Sequence, residues 1–148
     1  MFLLVWNQAT FEAADLNALF GWAISIQGKA ERGKILRPDF AGRRLDLYFD
    51  DVLEGPEAAT LADIELVERF GRDWVSRVRS EASLEKESAL VVHCAAGVSR
   101  SAAVALLLLT RYFGDFAQAR EYLQRTHPHV IPNALIVRLG TPSPISGV

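Results

Sequence analysis

The sequence predicts an α/β fold: one domain with a mainly parallel central sheet of about four to five strands and helices on both faces. Three observations carry this. Short apolar runs alternate with amphipathic stretches along the whole chain, in the order strand, helix, strand, strand, helix, strand, helices. The chain has 148 residues, half of them hydrophobic, enough for one core and too few for two. One apolar run, Ala89-Leu90-Val91-Val92, leads through a tight loop into another, Ala102 to Leu109, which reads as a helix too short to cross a membrane.

Each element has its own local reason. Phe2 to Trp6 is a strand; it lacks the basic lead of a signal peptide. Thr10 is placed to cap a helix running to Phe20, with Gly21 ending it. Trp22 to Ile26 is the second strand. Gln27 to Pro38 is polar, holds Gly28 and Gly33, and reads as a loop. Leu45, Leu47 and Phe49 alternate with Asp46 and Tyr48, giving a third strand with one buried face. Thr60-Leu61-Ala62-Asp63 starts a helix in which Ile64, Val67, Phe70, Trp74, Val75 and Val78 recur at helical spacing to about Arg79. Gly114 breaks the chain after the central helix, and Asp115 with Gln118 forms a capping pair for a helix to about Arg125. Asn133 is placed to cap a last short helix ending at Gly140. Residues 141–148 read as a flexible tail after a single domain of residues 1–140.

Charge and cysteine content narrow the function. The formal net charge is −2, against nucleic acid or an anionic membrane as the main partner. The single cysteine excludes an internal disulfide framework and suits a cytoplasmic protein whose thiol stays reduced. A monomer is expected.

That cysteine opens the most informative segment, His93-Cys94-Ala95-Ala96-Gly97-Val98-Ser99-Arg100-Ser101. The order strand, loop, helix puts Cys94 at the start of the loop and Arg100 at the helix entry. A helix entry offers unpaired N–H groups and positive dipole, which suit a phosphate dianion and lower a thiol pKa. Five residues between Cys94 and Arg100 let the backbone of Ala95, Ala96, Gly97, Val98 and Ser99 curl into a bowl facing three phosphoryl oxygens. Gly97 supplies backbone freedom. The guanidinium closes the rim with a two-pronged contact that a lysine cannot copy.

With His93 in front, the string Cys94-x5-Arg100-Ser101 resembles the signature of the cysteine-dependent protein phosphatases, the protein-tyrosine and dual-specificity group, and Phe49-Asp50-Asp51-Val52 resembles the acid site of compact bacterial members. The resemblance implies a phosphatase-like fold and a phosphomonoester hydrolase acting through a phosphocysteine intermediate, without metal or other cofactor. It implies Cys94 as nucleophile, Arg100 as phosphate ligand, Asp51 as general acid with Asp50 beside it as the alternative, and Ser101 as the hydroxyl that helps the cysteine leave. It gives His93 a supporting role, bonding the loop backbone and tuning the thiolate. The substrate expected is a phosphorylated protein or a small aryl phosphate, because the loop interior lacks the cations that highly charged inositol phosphates call for. Two other readings stay open: a rhodanese-like sulfurtransferase, and a phosphate-binding module with little turnover.

Other residues read as structural. Trp6, Trp22 and Trp74 fall on apolar faces. His127 and His129 flank Pro128 at a helix exit and make a weak case for a metal. Val130-Ile131-Pro132-Asn133 is similar to a late family motif that packs near the active loop. Arg32, Lys34, Arg37, Arg43 and Arg44 form either a solvated basic surface or a steering patch for a phosphorylated substrate.

Overall fold

The four apolar runs pair in one direction. A computed structural model describes residues 2–80 and 85–141; residues 142–148 of the expected flexible tail lie outside them. Strands β1 (Phe2–Trp6), β2 (Trp22–Gln27), β3 (Arg43–Tyr48) and β4 (Ala89–His93) form one parallel sheet in the order β1-β4-β2-β3. The strand that leads into the cysteine is therefore flanked on both sides, and it is buried along its whole length.

Alternation sends successive side chains of each strand to opposite faces. Leu3, Val5, Trp22, Ile24, Ile26, Leu90 and Val92 join the larger core cluster. Against it pack α3 (Leu61–Val78), α5 (Arg100–Phe113), α6 (Phe116–Thr126) and α7 (Ala134–Gly140). Ala23, Ala89 and Val91 face the other way, onto Phe11, Leu16, Phe20 and Phe40. That layer holds α1 (Gln8–Ala13) and α2 (Leu16–Leu19). The remaining α-helix among the described residues, α4 (Glu85–Ser88), leads straight into β4, and a short 3-10 turn, Lys29–Glu31, lies in the loop after β2. Helices thus cover both faces, as expected, but unequally.

α5 is the spine of the larger layer. Every residue from Arg100 to Leu109 is buried, because the helix lies between the sheet and α3, α6 and α7. Its end is a left-handed Gly114, φ 72°. The expected capping pairs are present at Thr60 with Asp63 and at Asp115 with Gln118. Asn133 caps α7, its Oδ1 accepting from Ile136 N at 3.1 Å.

One expectation is corrected. The single helix from Thr10 to Phe20 is two. Asn7 caps α1 three residues early, its Oδ1 accepting from Thr10 N at 2.8 Å. The chain turns extended at Ala14, and Asp15 then caps α2. Gly21 is not a helix end but a close approach: a Cβ there would lie 2.8 Å from the carbonyl oxygen of Glu87.

Candidate active site

A parallel sheet ends all its strands at one edge, and here that edge is a cleft of about 700 Å³. Residues just beyond each strand line it: Gln8 after β1, Gly28 after β2, Asp50 and Asp51 after β3, and Ala95 after β4, with Arg100 at its wall.

Cys94 is 2% exposed at the base of the loop between β4 and α5. Its Sγ lies 3.0 Å from Ser101 Oγ. Burial alone would push the thiol up. Hydrogen bonds from the Ser101 hydroxyl and from the backbone N–H groups of Ser101 and Gly97, with the charge of Arg100, outweigh it and hold the thiol below its ordinary value.

The loop that makes these bonds is fixed from outside. Gly97 has φ 71°, and a Cβ there would fall 2.7 Å from the backbone between Trp6 and Asn7, so only glycine meets both demands. Gln8 N donates to the Ala95 carbonyl at 3.1 Å, and the carbonyls of Val98 and Ser99 accept from the backbone of Ile131 and Asn133 at 2.9 and 3.1 Å. The loop is thus clamped between the start of α1 and the segment before α7. Ser99, at the N-cap of α5, makes no side-chain cap bond. Its hydroxyl donates instead to Asp51 Oδ1 at 2.7 Å.

Arg100 is 9% exposed. Nη1 donates to the Phe49 carbonyl at 2.9 Å, and Nε, fully buried, has no hydrogen-bond partner among the described residues. With Nη1 anchored on the Phe49 carbonyl, Nε lies on the edge of the guanidinium that a two-pronged acceptor would meet.

The two adjacent aspartates are separated by their bonds. Asp51 Oδ1 accepts from Ser99 and also from Asn133 Nδ2 at 2.9 Å. Asp50 turns the other way, where its Oδ1 accepts from Lys29 N at 2.9 Å. The loop after them is closed by Asp50 N donating to the Glu57 carbonyl at 2.7 Å.

His93 points to the α1 side of the sheet and is wholly buried, stacked 3.9 Å from Phe11. Nδ1 lies 3.3 Å from the Cys94 carbonyl and Nε2 lies 2.6 Å from Ser25 Oγ. A carbonyl only accepts, so Nδ1 carries the proton and Nε2 accepts from Ser25. Burial pushes this imidazole down to about 4, so it is neutral at pH 7.

Of the residues singled out in the sequence, Ala95, Arg100, Asp50 and Asp51 line the cleft. Cys94 lies next to Ala95 and meets Ser101, and Ser99 joins the cleft wall through Asp51. Ala96, Gly97 and Val98 complete the loop without lining the cleft, and His93 lies behind the loop. The structure adds Ser25, and it gives Asn133 a second task beside its cap. The resemblance of Val130-Ile131-Pro132-Asn133 to a late family motif that packs near the active loop pointed toward this region, with Asn133 read first as a cap; Ser25 carried no signal. His127 is structural: its Nε2 accepts from Val5 N at 3.1 Å. The basic cluster does not form one patch. Arg37 is spent on Asp39 and the carbonyls of Phe11, Glu12 and Ala14, Arg44 on Asp46 and the carbonyls of Leu36 and Arg37, and Arg43 stacks over Trp22.

No family model and no curated protein gives a significant match to this sequence. Solved structures do. The human tyrosine phosphatase-like serine/threonine/tyrosine-interacting protein matches at 22% identity and a TM-score of 0.66, over 93% of this chain and 87% of its own. Human DUSP28 matches at 22% identity and a TM-score of 0.65 over the same shares, 93% and 87%. The PTP-2 phosphatase of Cydia pomonella matches at 22% and 0.59, over 95% and 84%. With a parallel sheet ordered β1-β4-β2-β3 and a cysteine loop leading from its inner strand into a buried helix, this chain has the fold of the tyrosine and dual-specificity phosphatases.

Proposed function

We propose that this chain hydrolyses phosphomonoesters as a protein-tyrosine or dual-specificity phosphatase, through a phosphocysteine intermediate. The observation that carries the reading is Arg100: a nine-tenths buried cation whose Nε has no partner among the described residues, held at the wall of the cleft that Ala95, the residue after Cys94, also lines. A buried donor without an acceptor costs about 1–3 kcal/mol, and a phosphoryl group would supply the acceptor.

The steps follow from the groups present. The Cys94 thiolate attacks phosphorus and the bond to the leaving oxygen breaks. Asp51 gives that oxygen its proton, from Oδ2, since Oδ1 is occupied by Ser99 and Asn133. Arg100 and the loop N–H groups hold the equatorial oxygens as charge shifts onto them. Asp51, now ionised, takes a proton from water; the water oxygen attacks phosphorus, and the sulfur leaves as thiolate while Ser101 Oγ donates to it. Phosphate and the alcohol are the products. His93, neutral and turned away behind the loop, fits the supporting role rather than that of a base.

p-Nitrophenyl phosphate tests this. Wild type should turn it over and Cys94→Ser should not, while still binding vanadate through the intact loop and Arg100. Comparable turnover by Cys94→Ser would rule out the covalent route. Thiocyanate released from thiosulfate and cyanide would move the assignment to a sulfurtransferase.

A further inference from the structure

We infer that the substrate of this cleft carries a positive charge beside its phosphate: a phosphopeptide with lysine or arginine next to the phosphorylated residue. The inference rests on the phosphatase reading and specifies its substrate. Four carboxylates line the cleft, those of Glu12, Glu31, Asp50 and Asp51, against the two cations Lys34 and Arg100. On the phosphatase reading Arg100 is committed to the phosphate end, since its buried Nε has no partner among the described residues. The rest of the cleft is left with an acid excess.

Two of these carboxylates converge. A Cβ built on Gly28 would sit 3.1 Å from Asp50 Oδ1 and 3.5 Å from Glu31 Oε2. Asp50 Oδ1 receives the Lys29 N–H. Glu31 Oε2 is fully buried yet has no hydrogen-bond partner among the described residues. A buried carboxylate oxygen without a donor is costly, and a neighbouring carboxylate raises the cost. An ammonium or guanidinium from the substrate would satisfy both groups at once. The cleft therefore has two unsatisfied polar ends of opposite kind, a donor at Arg100 and an acceptor at Glu31. A polyanionic headgroup suits the first and is repelled at the second; a basic phosphopeptide suits both.

The test uses two phosphotyrosine peptides that differ only in the residues flanking the phosphotyrosine, lysine in one and glutamate in the other. Replacing attraction by repulsion at a half-exposed site is expected to give wild type about a tenfold preference in kcat/KM for the lysine peptide. The preference should shrink at high salt. Within each variant the same ratio should drop to about threefold or less in Glu31→Gln and in Asp50→Asn. A ratio near one in wild type, or one that neither variant lowers, overturns the inference. So does faster hydrolysis of a phosphoinositide than of either peptide. If p-nitrophenyl phosphate is not turned over at all, the phosphatase reading fails. Calorimetric binding of the two peptides to wild type then decides alone: tighter binding of the lysine peptide supports the acid subsite, and equal binding overturns it.

Discussion

Asp51 and Asp50 are neighbours in the chain with different surroundings, and the difference is testable. Only Asp51 is bonded to the cysteine loop, through Ser99, while Asp50 holds Lys29 N. Asp51→Asn should slow hydrolysis of p-nitrophenyl phosphate by about 10²–10⁴-fold and flatten the basic limb of the pH profile. Asp50→Asn should leave that limb in place; the opposite pattern would move the acid to Asp50. Gly97 is the second decisive residue. Its φ of 71° and the backbone 2.7 Å from a built Cβ make Gly97→Ala a strained substitution. It should cost about 2–3 kcal/mol in denaturant unfolding and weaken vanadate binding more than it lowers the midpoint.

Among the elements, α7 does more than fill the core. The side chain of Asn133 caps this helix with its oxygen and holds Asp51 with its nitrogen, and its backbone N–H reaches the Ser99 carbonyl. Asn133→Asp keeps the cap and loses the donor. Turnover should fall about tenfold with helix content by circular dichroism unchanged; unchanged turnover would make the contact incidental. The capping pairs at Thr60 and Asp115 were legible in the sequence, because a cap and its partner lie three residues apart. The break between α1 and α2 was not, because Asn7, Thr10 and Asp15 are all residues that cap helices. What selects among them is the burial of Phe11 and Leu16 against the sheet, a tertiary fact. The cysteine loop was legible for the same reason as the caps: its cysteine, glycine, arginine and serine fall within eight residues. Ser25 lies 68 residues from His93, and Asn133 lies 82 from Asp51, so no local pattern joined them.

Over the whole molecule, stability should follow the buried imidazoles. His93 sits near 4 in the fold against an ordinary 6.5, and burial with the neighbouring His129 lowers His127 in the same direction. A lowered pKa means that the unfolded chain binds more protons between those values, so stability rises with pH there. The contribution is complete above about pH 6.5 and is lost as pH falls toward 4. For His93 it amounts to at most about 3 kcal/mol. The carboxylates of Asp39 and Asp115, lowered from 3.8, act only in a more acid range. Denaturant midpoints should fall most steeply between pH 6.5 and 4.5, and more gently in His93→Asn; a flat midpoint over that range would contradict the buried neutral state.

The clamp on the cysteine loop has a consequence for how the molecule comes into being. Val5 N bonds a ring nitrogen 122 residues later, and the loop's outer carbonyls wait for Ile131 and Asn133. A chain emerging from the ribosome presents Cys94, Arg100 and Ser101 long before the segment that fixes their loop. Contacts of such sequence separation form late, so the loop around Cys94 acquires its finished form among the last events of folding. A chain that stops short of Ile131 and Asn133 then carries Cys94 in a loop whose outer carbonyls have no partners.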